Sequence, residues 1–244
     1  MANTIIGVDE AGRGPVIGPL VVTALRIPKR DIRILEEIGV KESKKVSKNK
    51  RNFLYEAIIE NCKKKKWNVS TIICPSSEID LEMEKNNLNK LEVRLFSEVI
   101  KNNGFSLKIE QINLDACDVN EERFGANVRD NLGERWEKTK IISKHKMDDR
   151  DLVTGAASII AKVTRDSEIE RIGKNMSFSI GSGYPSDPVT KIAVEKMILG
   201  NFPHDELRWS WKTVKDKWMS VHKMPAPLRS EYCTNMKQTS LYEW

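Results

Sequence analysis

The stretch that most constrains this chain runs from Ile5 to Pro19, I-I-G-V-D-E-A-G-R-G-P-V-I-G-P. Its short apolar run, Ile5 to Val8, predicts a buried strand that delivers two adjacent carboxylates, Asp9 and Glu10, into a Gly-Arg-Gly-Pro turn. Successive strand residues face opposite sides of a sheet, so both acids serve one ion only where the strand is ending and its backbone rotates. Gly12 and Gly14 permit that rotation. A second apolar run, Val16 to Ile27, predicts a strand pairing back on the first, which makes a hairpin with the acids near its turn. Other glycine loops fit less well. No Lys-Ser/Thr follows the glycines as in a P-loop, and the Gly12, Gly14, Gly18 spacing misses the dinucleotide fingerprint by one residue. A tight turn with surface acids is the alternative for these residues alone.

Further along, Asp31 to Ile38 has a helical pattern, and Ser47 is placed to cap a helix through Phe53, Leu54, Ala57, Ile58 and Ile59. Trp67 to Ile73 reads as a third strand, Leu81 to Ile100 as one long amphipathic helix, and Ile109 to Leu114 as a fourth strand ending in Asp115 and Asp118. A helix over Glu121 to Leu132, a strand over Lys140 to Ser143 and a helix over Val153 to Ile172 follow. After the glycine-rich G-S-G-Y-P-S-D-P loop come a helix over Val189 to Leu199 and a Trp-rich helical segment over Glu206 to Trp218. Past Pro225 and Pro227 the pattern dissolves, so a tail is expected from Arg229. A hairpin followed by strands alternating with helices predicts an α/β mixed sheet with helices packed on it.

With 244 residues, one sizeable core and a small extension are expected. Lys plus Arg exceed Asp plus Glu by 41 − 35 = 6, which favours a polyanionic partner. Cys62, Cys74, Cys117 and Cys233 are scattered without C-x-x-C spacing, which argues for reduced thiols in a cytoplasmic protein rather than a zinc site or disulfide framework. The N-terminus lacks a secretory pattern and no apolar run approaches spanning length, so no membrane association is expected.

Three separated segments bring acid to a strand end or helix start: Asp9 with Glu10, Asp115, and the Asp148, Asp149, Asp151 group. Oxygen donors of this kind suit hard divalent cations, and clustered carboxylates without cations would repel one another. Two such ions can activate a water and stabilise the leaving oxygen of a phosphodiester displacement. In Asp9 to Pro15, D-E-A-G-R-G-P, the chain resembles the opening signature of the type 2 ribonucleases H, ribonuclease HII, and R-W-S-W-K-T at residues 208–213 resembles the R-x-S-W-K-T stretch of its archaeal and eukaryotic branch, so an archaeal-type member is expected. N-L-D-A-C-D-V-N and H-K-M-D-D-R-D-L-V-T-G-A-A-S resemble the segments carrying the family's third and fourth acids. The resemblance implies a ribonuclease H-like mixed sheet flanked by helices over residues 1–200, a C-terminal helical extension over 201–228, and a flexible tail over 229–244.

It further implies that Asp9, Glu10, Asp115 and Asp148 hold Mg²⁺ or Mn²⁺ and carry catalysis, with Asp118 left to cap the next helix. Substrate contacts fall on Gly12, Arg13 and Gly14, which read a ribose 2′-hydroxyl, on Ser43, Lys44 and Tyr184, and on Lys162 with Arg165. The latter pair lie three apart on a helix, where they can share a face towards the substrate backbone. The activity implied is cleavage of RNA in RNA–DNA hybrids and 5′ to ribonucleotides embedded in duplex DNA, by a monomer. A structure-selective DNA nuclease and a catalytically silent nucleic-acid-binding module are the competing readings. Gln238, Leu241 and Trp244 in the closing Q-T-S-L-Y-E-W resemble the peptide by which replication enzymes bind a PCNA-type sliding clamp; a short helical turn would put Leu241 and Trp244 on one face.

Overall fold

A computed structural model describes residues 3–40, 47–65, 67–104 and 109–232. The expected hairpin is present: β1 (Thr4–Ala11) runs antiparallel to β2 (Leu20–Pro28), with Asp9 opposite Thr23 and Glu10 opposite Val22. β2 begins later than its apolar run suggests. Gly18 adopts a φ of 84°, and the Val16 and Ile17 amides donate to the Gly183 carbonyl, so residues 16–18 leave the ladder. Next come α1 (Ile32–Glu37) and α2 (Lys48–Lys65), where Ser47 Oγ accepts the Lys50 amide at 3.4 Å in the expected capping position. The chain continues through β3 (Asn68–Cys74), α3 (Ser76–Lys85), α4 (Leu88–Asn103), β4 (Ile109–Asp115) and α5 (Glu121–Leu132). It then forms β5 (Lys140–Lys144), α6 (Leu152–Lys174), α7 (Pro188–Met197) and α8 (Lys212–His222). The sheet order is β3-β2-β1-β4-β5, with β1, β4 and β5 mutually parallel, which is the mixed sheet expected.

Two helical expectations change. The single helix expected over Leu81 to Ile100 is two, α3 and α4, broken at Asn86 and Asn87, whose short amides compete with the helical ladder; Asn86 Nδ2 donates back to Glu82 Oε1. Residues 206–211 are not helical, because their polar backbone groups are engaged elsewhere. Gly18 donates to the Glu206 carbonyl, Arg208 donates to Val16, and the Trp209 and Ser210 amides donate to the Asp80 carboxylate. Nor does Asp118 cap α5. Asn120 does, accepting from the Arg123 amide, while Asp118 accepts from Asn120 and pairs with the Arg123 guanidinium.

The described chain forms two compact units that differ from a linear division at residues 200 and 228. The first comprises Met1–Ala11, Val21–Ile73 and Asn89–Arg165, the second Gly12–Leu20, Cys74–Leu88 and Asp166–Trp244. In the first unit Ile5, Leu25 and Ile27 of the sheet pack with Leu35, Leu54, Ile58, Ala156, Ile159 and Ile160. In the second, Val16 and Ile17 pack with Ile169, Ile172, Val194, Trp209 and Trp218. Arg229, where a tail is expected to start, is buried and ion-paired to Asp80 and Asp205. Among the described residues no helix is long and apolar enough to cross a membrane.

What places α6 is Gly7 in the middle of β1. A Cβ there would fall far inside contact distance of the Val153 carbonyl carbon and the Thr154 amide nitrogen, both backbone atoms that cannot swing aside. The start of α6 therefore lies directly on β1, two residues before Asp9. Gly155, the next residue of α6, repeats the device, since an added Cβ there would meet the Asp148 carbonyl oxygen at 2.9 Å. Gly7→Ala is expected to lower the stability of the chain by about 3 kcal/mol or more, the upper range for overpacking against backbone. Equilibrium urea denaturation measures it, and a loss below about 1 kcal/mol would mean that α6 does not depend on this contact.

Candidate active site

Three elements end at one place in the first unit. β1 supplies Asp9, β4 ends on Asp115, and a single 3-10 turn over Met147–Asp149 supplies Asp148 just before α6. One carboxylate oxygen from each of Asp9, Asp115 and Asp148 lies within 4.8 Å of the others. The turn is tied to the sheet by its own backbone, since the Met147 amide donates to Asp115 Oδ1 at 3.1 Å. Asp151, the third acid of that run, accepts from the amide and hydroxyl of Thr154 and so caps the first turn of α6. Asp149 is exposed. Asp148 is thus the member of the run that joins Asp9 and Asp115.

Glu10 enters a different set. Its carboxylate lies with Glu92 of α4 and the Cys117 thiol, again within 4.8 Å. Glu92 is fully buried and carried no signal in the sequence, where it occupies an ordinary position in an amphipathic helix. Burial pushes the Asp9 carboxyl well above the usual carboxylate range and the Glu10 charge adds to the push, while a Ser158 hydrogen bond and the Lys162 charge act the other way. Burial raises Glu10 from its ordinary 4.5 to about 7, the Glu92 charge adding most among its neighbours. Burial, then the Glu10 and Glu92 charges, also lift the Cys117 thiol well above its usual value.

The remaining expected residues divide between the units. Lys162 is in the first, with its ammonium 3.7 Å from Asp148 Oδ2. Arg165 is buried rather than presented on an open face beside Lys162. Gly12, Arg13, Gly14 and Tyr184 are in the second unit, and the structure brings them together: a Cβ built on Gly14 would lie 3.8 Å from the Tyr184 ring. Gly12 has a φ of 93°, a conformation that favours glycine. The loop before Tyr184 is held by Asp187, which accepts from the Ser182 amide and hydroxyl and from the Val189 amide. Ser43, Lys44, Gln238, Leu241 and Trp244 lie outside the described residues.

Arg208 organises the glycine turn, a role that the sequence did not reveal. Fully buried, it donates to the carbonyls of Gly12 (2.6 Å), Arg13 (3.0 Å) and Gly18 (3.0 Å). Its segment is fixed in turn by Asp80, which accepts from Trp209, Ser210 and the buried Arg229 guanidinium. Only the R-W-S-W-K-T motif that contains Arg208 pointed towards it.

The ribonuclease HII family model matches residues 6–214. The chain belongs to the ribonuclease HII family. It is 44% identical over 211 residues to the ribonuclease HII of the archaeon Thermococcus sibiricus, covering 86% of this chain and 88% of the relative. The crystal structure of ribonuclease H2 from Pyrococcus horikoshii superposes with a TM-score of 0.78 at 35% identity, covering 91% of this chain and all of that one. The ribonuclease HII solved in complex with PCNA from Archaeoglobus fulgidus gives a TM-score of 0.74 at 33% identity, over 86% and 95% of the two chains. The fold is therefore ribonuclease H-like, and the chain is a ribonuclease H, a nuclease that hydrolyses phosphodiester bonds.

The donor chemistry fits a divalent cation. Asp9, Asp115 and Asp148 offer oxygen alone, the preference of Mg²⁺ and Mn²⁺, and the charge they concentrate is unfavourable without a cation. The raised carboxyls give this a thermodynamic signature. A folded state that holds protons which the unfolded chain has released loses stability as pH rises through that window. From Glu10 the window is pH 4.5 to about 7, and Asp9 acts in the same direction. Without metal, the melting temperature is expected to fall as pH is raised across it; Mn²⁺ should restore it at the upper end, and Asp9→Asn should flatten the profile. Calorimetry in a chelating buffer tests this. A melting temperature that rises steadily across the window would contradict the raised acids.

Proposed function

We propose that the chain hydrolyses RNA in RNA–DNA hybrids and cuts 5′ to single ribonucleotides embedded in duplex DNA, leaving 3′-hydroxyl and 5′-phosphate ends. The observation that carries this reading is the convergence of Asp9, Asp115 and Asp148 beside Glu10 in a chain of this family. Two divalent ions, Mg²⁺ or Mn²⁺, held there would supply a nucleophilic water and neutralise charge on the leaving oxygen. The chain's own residues bind and orient. Asp9, Asp115 and Asp148 would hold the cations through carboxylate oxygens, and Glu10, next to Asp9 on β1, would complete the acidic set.

Discrimination is assigned to the glycine turn. With Arg208 holding the carbonyls of Gly12 and Arg13 from behind, the turn keeps one backbone conformation, and exposed Gly14 lets a ribose approach without a side chain between. A 2′-hydroxyl distinguishes RNA from DNA, and backbone groups at residues 12–14 are suited to read it. The Tyr184 ring is beside Gly14 and partly exposed, which supports a role in packing on the neighbouring sugar. Ser43 and Lys44 are assigned to phosphate, as is Lys162 once it leaves Asp148.

The same reading extends to a partner. The Archaeoglobus ribonuclease HII was solved with PCNA, and Gln238, Leu241 and Trp244 here have the spacing of a clamp-binding peptide. Deleting residues 237–244 is expected to leave cleavage of short substrates unchanged and to abolish binding of a PCNA-type clamp; calorimetry showing no binding by the full chain would remove the partner and leave the nuclease.

Activity is tested on duplex DNA carrying one ribonucleotide, with the cut mapped. The wild-type chain should cut once, 5′ to the ribonucleotide, and not at all when that residue is 2′-deoxy. Asp9→Asn and Asp115→Asn should reduce cutting to background while binding of the duplex survives, and Asp148→Asn should be far more damaging than Asp149→Asn. Equal cleavage of the all-DNA duplex would favour a structure-selective DNA nuclease instead.

A further inference from the structure

Lys162 lies one turn beyond Ser158 on α6, and its ammonium donates to Ser158 Oγ at 2.7 Å while standing 3.7 Å from Asp148 Oδ2. Ser158 is buried, and its side chain also hydrogen-bonds Asp9. The cation therefore reaches Asp148 directly and Asp9 through Ser158, two of the three carboxylates gathered within 4.8 Å. Its stem leads outward: the Lys162 side chain is 40% exposed, whereas that of Asp148 is 7%. A long flexible ammonium with one end in a buried acidic cluster and a route to solvent is built to be displaced.

From this geometry we propose that Lys162 is the resident counter-cation of the carboxylate cluster, seated on Asp148 in the metal-free chain and displaced when a divalent ion arrives. Lys162 is then a positioning residue with two linked effects. It holds the acids together before metal binds, and it weakens metal affinity because the incoming ion must overcome a positive charge already in place. Displaced, the ammonium swings outward, where an anionic phosphate can accept it. A lysine that served phosphate alone would leave metal affinity in the absence of nucleic acid unchanged.

The inference rests on the metal-site reading above, and the test separates the two. Mn²⁺ is titrated into the full chain without nucleic acid, with binding followed by calorimetry and by the electron paramagnetic resonance of free Mn²⁺. Wild type, Lys162→Gln, Lys162→Arg and Asp9→Asn are compared. Lys162→Gln should bind Mn²⁺ about tenfold more tightly, the size left to a close charge pair at a partly exposed position, and its metal-free form should melt lower than wild type. Lys162→Arg keeps the charge and should stay within about twofold of wild type. Affinity of Lys162→Gln equal to or weaker than wild type overturns the proposal, as does equal tightening in Lys162→Arg. Failure of wild type to show any Mn²⁺ site that Asp9→Asn removes would instead overturn the metal-site reading. Because the substituted side chain is partly exposed, the variant opens no core, and its melting curve verifies folding.

Discussion

The first unit depends on the close approach of a helix to a strand. Because Gly7 presents no side chain, the backbone of α6 at Val153 and Thr154 rests on β1, and Gly155 lets the Asp148 turn fold back against the same helix. Asp115 and Asp148 lie more than a hundred residues beyond Asp9 in the chain, yet each of the three acids sits at or near the end of an element whose direction is set by this packing. Asp9 is on the paired end of β1, Asp115 closes β4 alongside it, and Asp148 enters α6 where the helix meets the sheet. A methyl group at residue 7 would push the third acid away from the other two without touching any of them.

Convergence has an electrostatic cost that shapes the rest of the site. Asp9 and Glu92 are buried, and Glu10 is held close to Glu92 and Cys117, so the unit concentrates acid where water solvates it poorly. The chain meets this cost locally: the Ser158 hydroxyl and Lys162 ammonium on α6, and the Met147 amide on Asp115, all face the acids. What these partners leave unbalanced is a preference for doubly charged cations with hard oxygen ligands. Metal binding and protonation therefore compete for the same groups, which links the stability of the free chain to the chemistry of the loaded one. The second unit has a rigid support of its own. Buried Arg229 and Asp80 hold residues 205–210, and Arg208 in turn holds the glycine turn.

Much of this was legible in the sequence because acids placed at the ends of apolar runs are a local pattern. Asp9, Asp115 and the Asp148 run stand out for that reason, and Gly14 with Tyr184 through their motifs. The unreadable residues have partners far away in the chain. Glu92 sits at an amphipathic helix position that looks solvated until the fold turns it towards Glu10. Arg208 serves carbonyls 190 to 196 residues earlier, and Asp80 receives groups from 129 to 149 residues later. Such pairings leave no periodicity. Helical pattern misled at residues 206–211 for the same reason, since bonds to Val16, Gly18 and Asp80 replace the helical ladder there. The break between α3 and α4 was marked by Asn86 and Asn87, but a strong apolar stripe on both sides masked it.

The central claim is that Asp9, Asp115 and Asp148 form one cation site built by the packing of α6 on β1. Anomalous diffraction from crystals grown with Mn²⁺ tests it most directly. The account predicts manganese peaks ligated by carboxylate oxygens of Asp9, Asp115 and Asp148, with Glu10 turned from Glu92 towards the metal when a second ion is present about 4 Å from the first. Manganese bound by Asp149 or Asp151 instead, or ligated by Glu92 and Cys117 while the three aspartates stay bare, would contradict it.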